Sequence, residues 1–251
     1  MTPSPTVDAF RALARSSPWR WRTLRFRHRS DDEQVEAWIR RPDDLLVLTA
    51  AGRRHRITDR QDSAASVTFV ATGPDDQTDP SDAFVGSRLD PLNPPLRPDG
   101  LVAERPEDWR YEFDAPMWKD YTWVAMLDPV ELSHHVDVAN LRIDEVAGRP
   151  AWRAELRAES GYDARCGSNC CELLWSEASW YADFGGLDQP DRDAPPIPPG
   201  TVFPDHYDVA LDVQTGIVVR LRAVGARPDL GFENDIIDVD ADLDDVFARG
   251  R

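Results

Sequence analysis

The sequence predicts a mainly β protein of the α+β class: a curved antiparallel sheet, with a short N-terminal helix and a central helix packed on one face. Apolar and polar residues alternate with a period of two over many short segments. These segments lie on both sides of a central helical pattern, and turn-forming residues separate them. We expect one domain spanning residues 1–251, with long Pro- and Asp-rich loops at about 73–99 and 185–200.

The N-terminal part is predicted to form a short helix and then an antiparallel meander. Thr6 is a suitable N-cap for a helix over about Val7–Ala14, which Pro18 ends. A phase slip near Thr23–Leu24 indicates a bulge in the first strand. The alternation predicts strands over Trp19–Arg29, Gln34–Arg40, Leu45–Thr49, Arg53–Ile57 and Ser66–Ala71.

The rest of the chain is predicted to add the central helix and a second run of strands. Apolar residues at helical spacing place the helix over Met117–Leu132, with Pro129 breaking or restarting it. The alternating acidic stretch Asp238–Asp244 is typical of an edge strand. Further strands are expected at Ala151–Arg157, Leu173–Tyr181, Tyr207–Val213 and Ile217–Val224, the last two joined by a hairpin in which Gly216 takes the left-handed position.

The C-terminal segments 207–225 and 231–249 resemble the C-terminal hairpin and closing strand of the outer-membrane lipoprotein carrier (LolA-like) superfamily. That superfamily includes lipid-binding lipoproteins and the sensor domain of a sigma-factor regulator. The hairpin motif Asp-x-x-Thr-Gly falls on Asp212, Thr215 and Gly216, and the closing acidic segment with its Phe falls on Asp244, Asp245 and Phe247. The order of a short helix, a Trp-bearing strand and a second strand that ends at Arg41-Pro42 is also similar.

The resemblance implies a half-barrel whose concave face, capped by the helices, encloses an apolar cavity. It implies binding of an acyl chain or a lipidated partner, and no catalysis. Apolar alternation marks a buried face whether or not that face is hollow, so an ordinary packed core is the plainer interpretation. The inward-facing residues that such a cavity would use are Trp21, Val35, Ile39, Trp123, Met126, Trp152 and Leu211.

Three clustered cysteines support an alternative in which the protein depends on a metal or a thiol. Cys166, Cys170 and Cys171 lie in a predicted turn, where thiolates could bind zinc with a histidine as fourth ligand. The C-x3-C-C spacing is not that of a zinc ribbon, and reduced thiols or a single disulfide fit it as well. The fourth ligand would come from His134, His135 or His206.

Charge defines a third alternative and excludes some functions. The formal net charge of -17 argues against nucleic acid as a partner. The basic first strand could instead form an arginine stripe for an acidic protein partner, through Arg20, Arg22, Arg25 and Arg27.

No motif of a known enzyme class is found, so we expect a non-enzymatic protein without a cofactor. An EF-hand is rejected because Leu243 and Arg249 occupy the positions that require Gly and Glu. The expected ligand is a hydrophobic small molecule, a lipid or an apolar peptide, and the remaining alternative is a protein partner. The sequence contains no signal peptide and no long apolar run, so a cytoplasmic location and no membrane insertion are expected.

Overall fold

The computed structural model describes residues 5–58, 93–105, 115–165, 167 and 170–248. Over these ranges, nine strands form one open antiparallel sheet. The strands are β1 Thr23–Ser30, β2 Gln34–Arg40, β3 Asp44–Thr49, β4 Arg54–Ile57, β5 Val136–Val146, β6 Arg149–Ala158, β7 His206–Asp212, β8 Val218–Val224 and β9 Gly231–Val239. The described helices are α1 Val7–Ser16, α2 Thr122–Leu127, α3 Glu177–Trp180 and α4 Asp244–Ala248, with 3₁₀ helices at Ser17–Trp19 and Val130–Ser133.

The sheet consists of two meanders joined at a central seam. Strands run in the order β4-β3-β2-β1-β9-β8-β7-β6-β5, so β1 to β4 form one half and β5 to β9 the other. At the seam, Leu24 of β1 lies opposite Val239 of β9, and Phe26 lies opposite Ile236. The prediction of a mainly β protein with an antiparallel sheet is confirmed, and the open sheet fits a half-barrel. No helix in the described ranges combines the length and the apolar character needed to cross a bilayer.

Strand β2 has the predicted bounds, and its alternation divides the two faces of the sheet. Val35, Ala37 and Ile39 are at most 3% exposed and belong to the main core. Trp38 points to the opposite face, where it packs on a small cluster formed with α4. The main core therefore lies on one face of the sheet, and α4 covers part of the other.

The N-terminal helix is confirmed, but the first strand starts later than predicted. Thr6 Oγ1 accepts a hydrogen bond from Ala9 N at 3.1 Å, and the helix continues to Ser16. Pro18 lies in the following 3₁₀ helix, so β1 begins only at Thr23 and the phase slip marks this boundary. An irregularity is found in β1, as the phase slip indicated, but it falls between Arg25 and Phe26 in the β1–β9 pairing, two residues after the predicted position.

The central helix is shorter than predicted. Instead of one helix over Met117–Leu132, α2 covers Thr122–Leu127 and a 3₁₀ helix follows Pro129. Asp128 Oδ2 lies 2.8 Å from the Arg165 guanidinium, and its other oxygen pairs with Arg105. This buried ion pairing, together with the missing N–H of Pro129, separates the two helical segments.

Two other predicted strands are wrong, and one strand was not predicted. Residues Leu173–Tyr181 contain the short helix α3 rather than a strand. Residues 240–244 of the predicted edge strand Asp238–Asp244 are not in a strand, because β9 ends at Val239. Strand β9 is also not an edge strand, since it lies between β1 and β8. Strand β5 was missed and stands at one end of the strand order. Ser66–Ala71 and residues 73–92 lie outside the described residues, and residues 185–200 form turns and coil.

The predicted hairpin β7–β8 is confirmed, and its turn attaches α1 to the sheet. Asp212 is 1% exposed and accepts hydrogen bonds from Thr215 N at 2.7 Å and from Thr215 Oγ1 at 2.8 Å. The Arg149 guanidinium binds the same carboxylate at 2.8 Å. Gly216 has a φ of +75°, and a Cβ at this position would lie 2.7 Å from Leu13 O of α1. The Asp-x-x-Thr-Gly motif therefore has a structural role here.

Candidate functional site

A cavity of about 720 Å³ lies between α2, the turns β1–β2 and β8–β9, and residues 170–175. Its volume falls in the range of about 300–1,000 Å³ that is typical of small-molecule sites. Strands β7, β8 and β9 contribute Tyr207, Leu221 and Phe232 to its lining. The cavity is the strongest candidate site in the described part of the chain.

Aromatic side chains form much of its wall. Trp123 of α2 is 3% exposed, and its ring lies 5.3 Å from that of Phe26, measured between centroids. Trp175 packs on Phe203 at 4.6 Å. Trp180 Nε1 donates to Pro195 O at 2.9 Å, which attaches the Pro-rich loop to this wall. The tryptophans that line the cavity are Trp118, Trp123, Trp175 and Trp180.

His28 lines the cavity as a neutral hydrogen-bond acceptor. Asn234 Nδ2 donates to Val218 O at 2.7 Å, so Asn234 Oδ1 faces His28 Nδ1 at 2.9 Å and accepts a hydrogen bond from its N–H. Burial lowers the pKa of His28, and this outweighs the opposite effect of the hydrogen bond to Asn234. The residue is 9% exposed, and Nε2 makes no hydrogen bond within the described residues. The neutral ring therefore leaves the lone pair of Nε2 available.

Carboxylates outnumber cationic side chains around the cavity. Lys119 Nζ lies 2.7 Å from Glu33, which also accepts a hydrogen bond from Trp118 Nε1 at 3.0 Å. Arg227 pairs with Asp229 at 2.8 Å. Both cations of the lining are thus engaged with carboxylates. The acidic residues of the lining are Asp32, Glu33, Asp120, Glu172 and Asp229.

A buried glutamate fixes the segment that carries the cavity wall at residues 170–175. Glu131 is 1% exposed and accepts hydrogen bonds from Tyr162 Oη at 2.6 Å, Leu173 N at 2.7 Å and Arg165 N at 3.0 Å. Burial raises the pKa of Glu131, although these three hydrogen bonds act against the shift. For Asp128, burial alone would raise the pKa, but the guanidinium groups of Arg105 and Arg165 lower it. Two buried carboxylates thus hold this irregular segment against the 3₁₀ helix.

Two of the three clustered cysteines lie in the described part of the chain. Cys170 and Cys171 line the cavity, with 3.4 Å between their sulfur atoms. Cys166 lies outside the described residues. Among the described side chains, no group of three or more His, Cys, Asp or Glu has the arrangement of a metal site. The zinc site therefore stays a prediction.

The seven residues predicted to line a cavity are all buried in the main core, but they do not lie together around this cavity. Trp123 and Met126 line it. Trp21 is covered by the Arg41 guanidinium at 4.0 Å, and Trp152 lies opposite Leu211 in the β6–β7 pairing. The structure places the other five in the packed core, namely Trp21, Val35, Ile39, Trp152 and Leu211.

Sequence reasoning missed most of the residues that line the cavity. Trp118 and Trp175 lie in irregular segments, where alternation carries no information about which way a side chain points. His28 is in a strand, but the arginines on both sides of it make this run of the sequence polar, so the sequence did not indicate that its side chain is buried. The nine tryptophans of the chain were the one available signal, and they could not be assigned to a common site before the topology was known.

Two arginines of the stripe pair with carboxylates across strands, and a third binds backbone carbonyls. Arg25 lies 2.7 Å from Glu36 and 3.5 Å from Asp238, and Arg27 lies 3.9 Å from Glu36. Arg20 Nε donates to Gln214 O at 2.7 Å. The carboxylates offset the charge of Arg25 and Arg27 only, which leaves less cationic charge for a partner at these two positions.

Comparison of the chain with models of protein families, with curated proteins and with solved structures gives no match. The LolA-like resemblance therefore stays a hypothesis carried by the hairpin and by the open antiparallel sheet.

Proposed function

We propose that the protein is a non-enzymatic binding protein that holds an apolar or amphipathic small molecule in the tryptophan-lined cavity. The observation that carries the proposal is the combination of about 720 Å³ of space with four tryptophans in its wall. Large aromatic side chains supply extensive contact area, with little loss of conformational entropy on binding. The proposal agrees with the function that the LolA-like resemblance implies, but of the seven predicted lining residues it keeps only Trp123 and Met126.

The fold part of the proposal is a half-barrel with helix α2 on its concave face. Contacts of α2 with three strands support this arrangement. Trp123 packs on Phe26 of β1, Met126 Sδ lies 3.3 Å from Asn234 Nδ2 of β9, and α2 also contacts β8. The cavity then lies beside the helix, between the sheet and the segment anchored by Glu131.

The polar groups of the cavity favour binding over catalysis. His28 is held by the neutral amide of Asn234, whereas a general base is more often oriented by a carboxylate. Glu33 and Asp229 are held in ion pairs. These groups are held in position by their hydrogen bonds and ion pairs, which suits recognition of a ligand.

The proposal is tested with diphenylhexatriene, a neutral apolar probe whose fluorescence rises in apolar surroundings. We expect saturable binding to the full-length protein, with Trp175→Ala raising the Kd about tenfold because a wall of the cavity is lost. Trp38→Ala is the matched control, since Trp38 packs on the opposite face of the sheet near Leu46 and Phe247. Circular dichroism establishes that both variants are folded. Lack of saturable binding, or equal weakening by both variants, would contradict the proposal.

A further inference from the structure

We infer that the ligand of this cavity is an amphipathic organic cation, whose protonated amine or guanidinium group donates hydrogen bonds to the acceptors of the lining while its apolar part lies against the tryptophans. This inference rests on the proposed function and specifies the chemical class of the ligand. Charge, hydrogen-bond capacity and aromatic surface each support it separately.

The charge of the lining is unbalanced. Glu33 and Asp229 are neutralised by Lys119 and Arg227. Three carboxylates have no cationic partner within ion-pairing distance among the described residues, namely Asp32, Asp120 and Glu172. With His28 neutral, the cavity carries an excess of negative charge that a bound cation would complement.

Neutral donors hold two of these carboxylates in place without neutralising them. Asp120 Oδ1 accepts a hydrogen bond from Thr122 N at 3.0 Å, at the start of α2. Glu172 accepts from Cys170 N at 3.0 Å and from Ser179 Oγ at 3.1 Å. Each carboxylate has two oxygens with several lone pairs, so both can accept further hydrogen bonds from a ligand.

His28 is an independent sign that the ligand donates hydrogen bonds. More than nine-tenths of the residue is buried, and it lines the cavity. Its Nδ1 is committed to Asn234, so the remaining ring nitrogen, Nε2, can only accept while the ring is neutral. Nε2 has no hydrogen-bond partner in the described part of the chain, and an ammonium or guanidinium N–H of a bound ligand would supply one.

The aromatic wall already contacts a cation. The guanidinium carbon of Arg227 lies 5.3 Å from the centroid of the Trp175 ring, within the range of a cation–π interaction. This geometry demonstrates that a face of the wall is compatible with positive charge, while Trp118 and Trp123 add apolar surface to the same cavity.

The test compares three probes with the same ten-carbon tail, namely decylamine, decanol and decanoate, each used below its micelle concentration. Their Kd values are measured by displacement of diphenylhexatriene at neutral pH and low salt. The test variant is the double substitution Asp120→Asn and Glu172→Gln. In Asp120→Asn the amide oxygen still accepts from Thr122 N, and in Glu172→Gln it accepts from one of the two donors, Cys170 N or Ser179 Oγ, so circular dichroism establishes that the variant is folded. Glu145→Gln is the matched control, because Glu145 is exposed on β5 and does not line the cavity.

We expect decylamine to bind about tenfold more tightly than decanol, and decanoate to bind most weakly. The double variant should weaken decylamine binding about fivefold and leave decanol binding unchanged, whereas Glu145→Gln should alter neither. If the three probes bind alike, or decanoate binds best, the inference is wrong while the proposed binding function stands. If neither diphenylhexatriene nor any alkyl probe binds, the proposed function fails as well.

Discussion

At position 216, both the backbone conformation and the close packing against α1 require a glycine. Its φ of +75° is costly for any residue with a side chain, and an added Cβ would meet Leu13 O at 2.7 Å. Gly148, in the β5–β6 turn, has a similar φ of +79° but has no atom within 4 Å of an added Cβ. The two glycines therefore separate conformational strain from steric conflict.

We predict that Gly216→Ala lowers the free energy of unfolding by about 3 kcal/mol, and Gly148→Ala by about 1 kcal/mol. The difference reflects the contact with α1, which has to move away from the hairpin to admit the methyl group. Urea denaturation of the two variants and the parent protein measures both values. Equal losses would mean that the hairpin turn does not constrain α1.

His28 is predicted to make stability depend on pH. Burial lowers its folded-state pKa below the ordinary value of 6.5, against the opposing influence of Asn234, Glu33 and Asp120. Since the folded pKa is lower than the unfolded one, the stability linked to the neutral ring is fully present above about pH 6.5 and is lost as the pH falls through the folded pKa. Urea denaturation at several pH values below this point should therefore give a steeper decline for the parent protein than for His28→Gln.

His134 needs its own variant in this experiment, because burial lowers its pKa as well and its contribution has the same sign. The single variants His28→Gln and His134→Gln are compared with the double variant. A parallel decline for the parent protein and His28→Gln would contradict the assignment of a buried neutral His28.

At the scale of elements, the 3₁₀ helix Val130–Ser133 organises the irregular segment beside the cavity through one side chain. Glu131 accepts hydrogen bonds from Tyr162, Arg165 and Leu173, and all three donors require an acceptor at the carboxylate. In Glu131→Gln, the amide NH₂ would replace one acceptor and face a donor.

We predict that Glu131→Gln lowers the free energy of unfolding by about 2 kcal/mol and speeds amide hydrogen exchange at Arg165 and Leu173. Glu159→Gln, on an exposed residue after β6, should change neither quantity. Hydrogen exchange followed by mass spectrometry locates the effect. Unchanged protection of the 162–174 segment would show that the wall is held by other contacts.

The elements that could be predicted from the sequence are those in which backbone pairing and side-chain burial follow the same period. Strand β2 and the hairpin β7–β8 are of this kind, and both appear close to their predicted bounds. In Leu173–Tyr181 the backbone bonds to side chains instead. Leu173 N donates to Glu131, Leu174 N donates to Tyr162, and a Ser176–Ser179 capping box begins α3.

Strand β5 was not predicted, because the alternation of its side chains is interrupted in the middle of the strand. Asn140 has a φ of +52°, and the pairing with β6 shifts register between Ala139 and Arg142. A bulge at this point changes which residues face the core, so no continuous alternation is visible. The cavity was equally hard to predict, because loop tryptophans and His28 come together only through the order of the strands.

For the whole molecule, the pairing of β1 with β9 decides whether the two meanders unfold together. The seam joins strands that are about 200 residues apart in the sequence, and the core side chains of both meanders belong to one buried cluster. Disrupting this seam should therefore destabilise both halves of the sheet at once, even though within each half the strands pair in sequence order.

We predict that Ile236→Ala, at the seam and 6% exposed, lowers the free energy of unfolding by about 3 kcal/mol without splitting the transition. Far-UV circular dichroism reports on the backbone of the sheet, tryptophan fluorescence reports on the packing of aromatic side chains, and the two urea midpoints should fall together. Ile143→Ala is the matched control, because Ile143 is 50% exposed on β5 and should cost less than about 0.5 kcal/mol. If the urea midpoints of Ile236→Ala measured by circular dichroism and by fluorescence differed, one meander would keep its structure without the other. The seam would then be a contact between independently folding units.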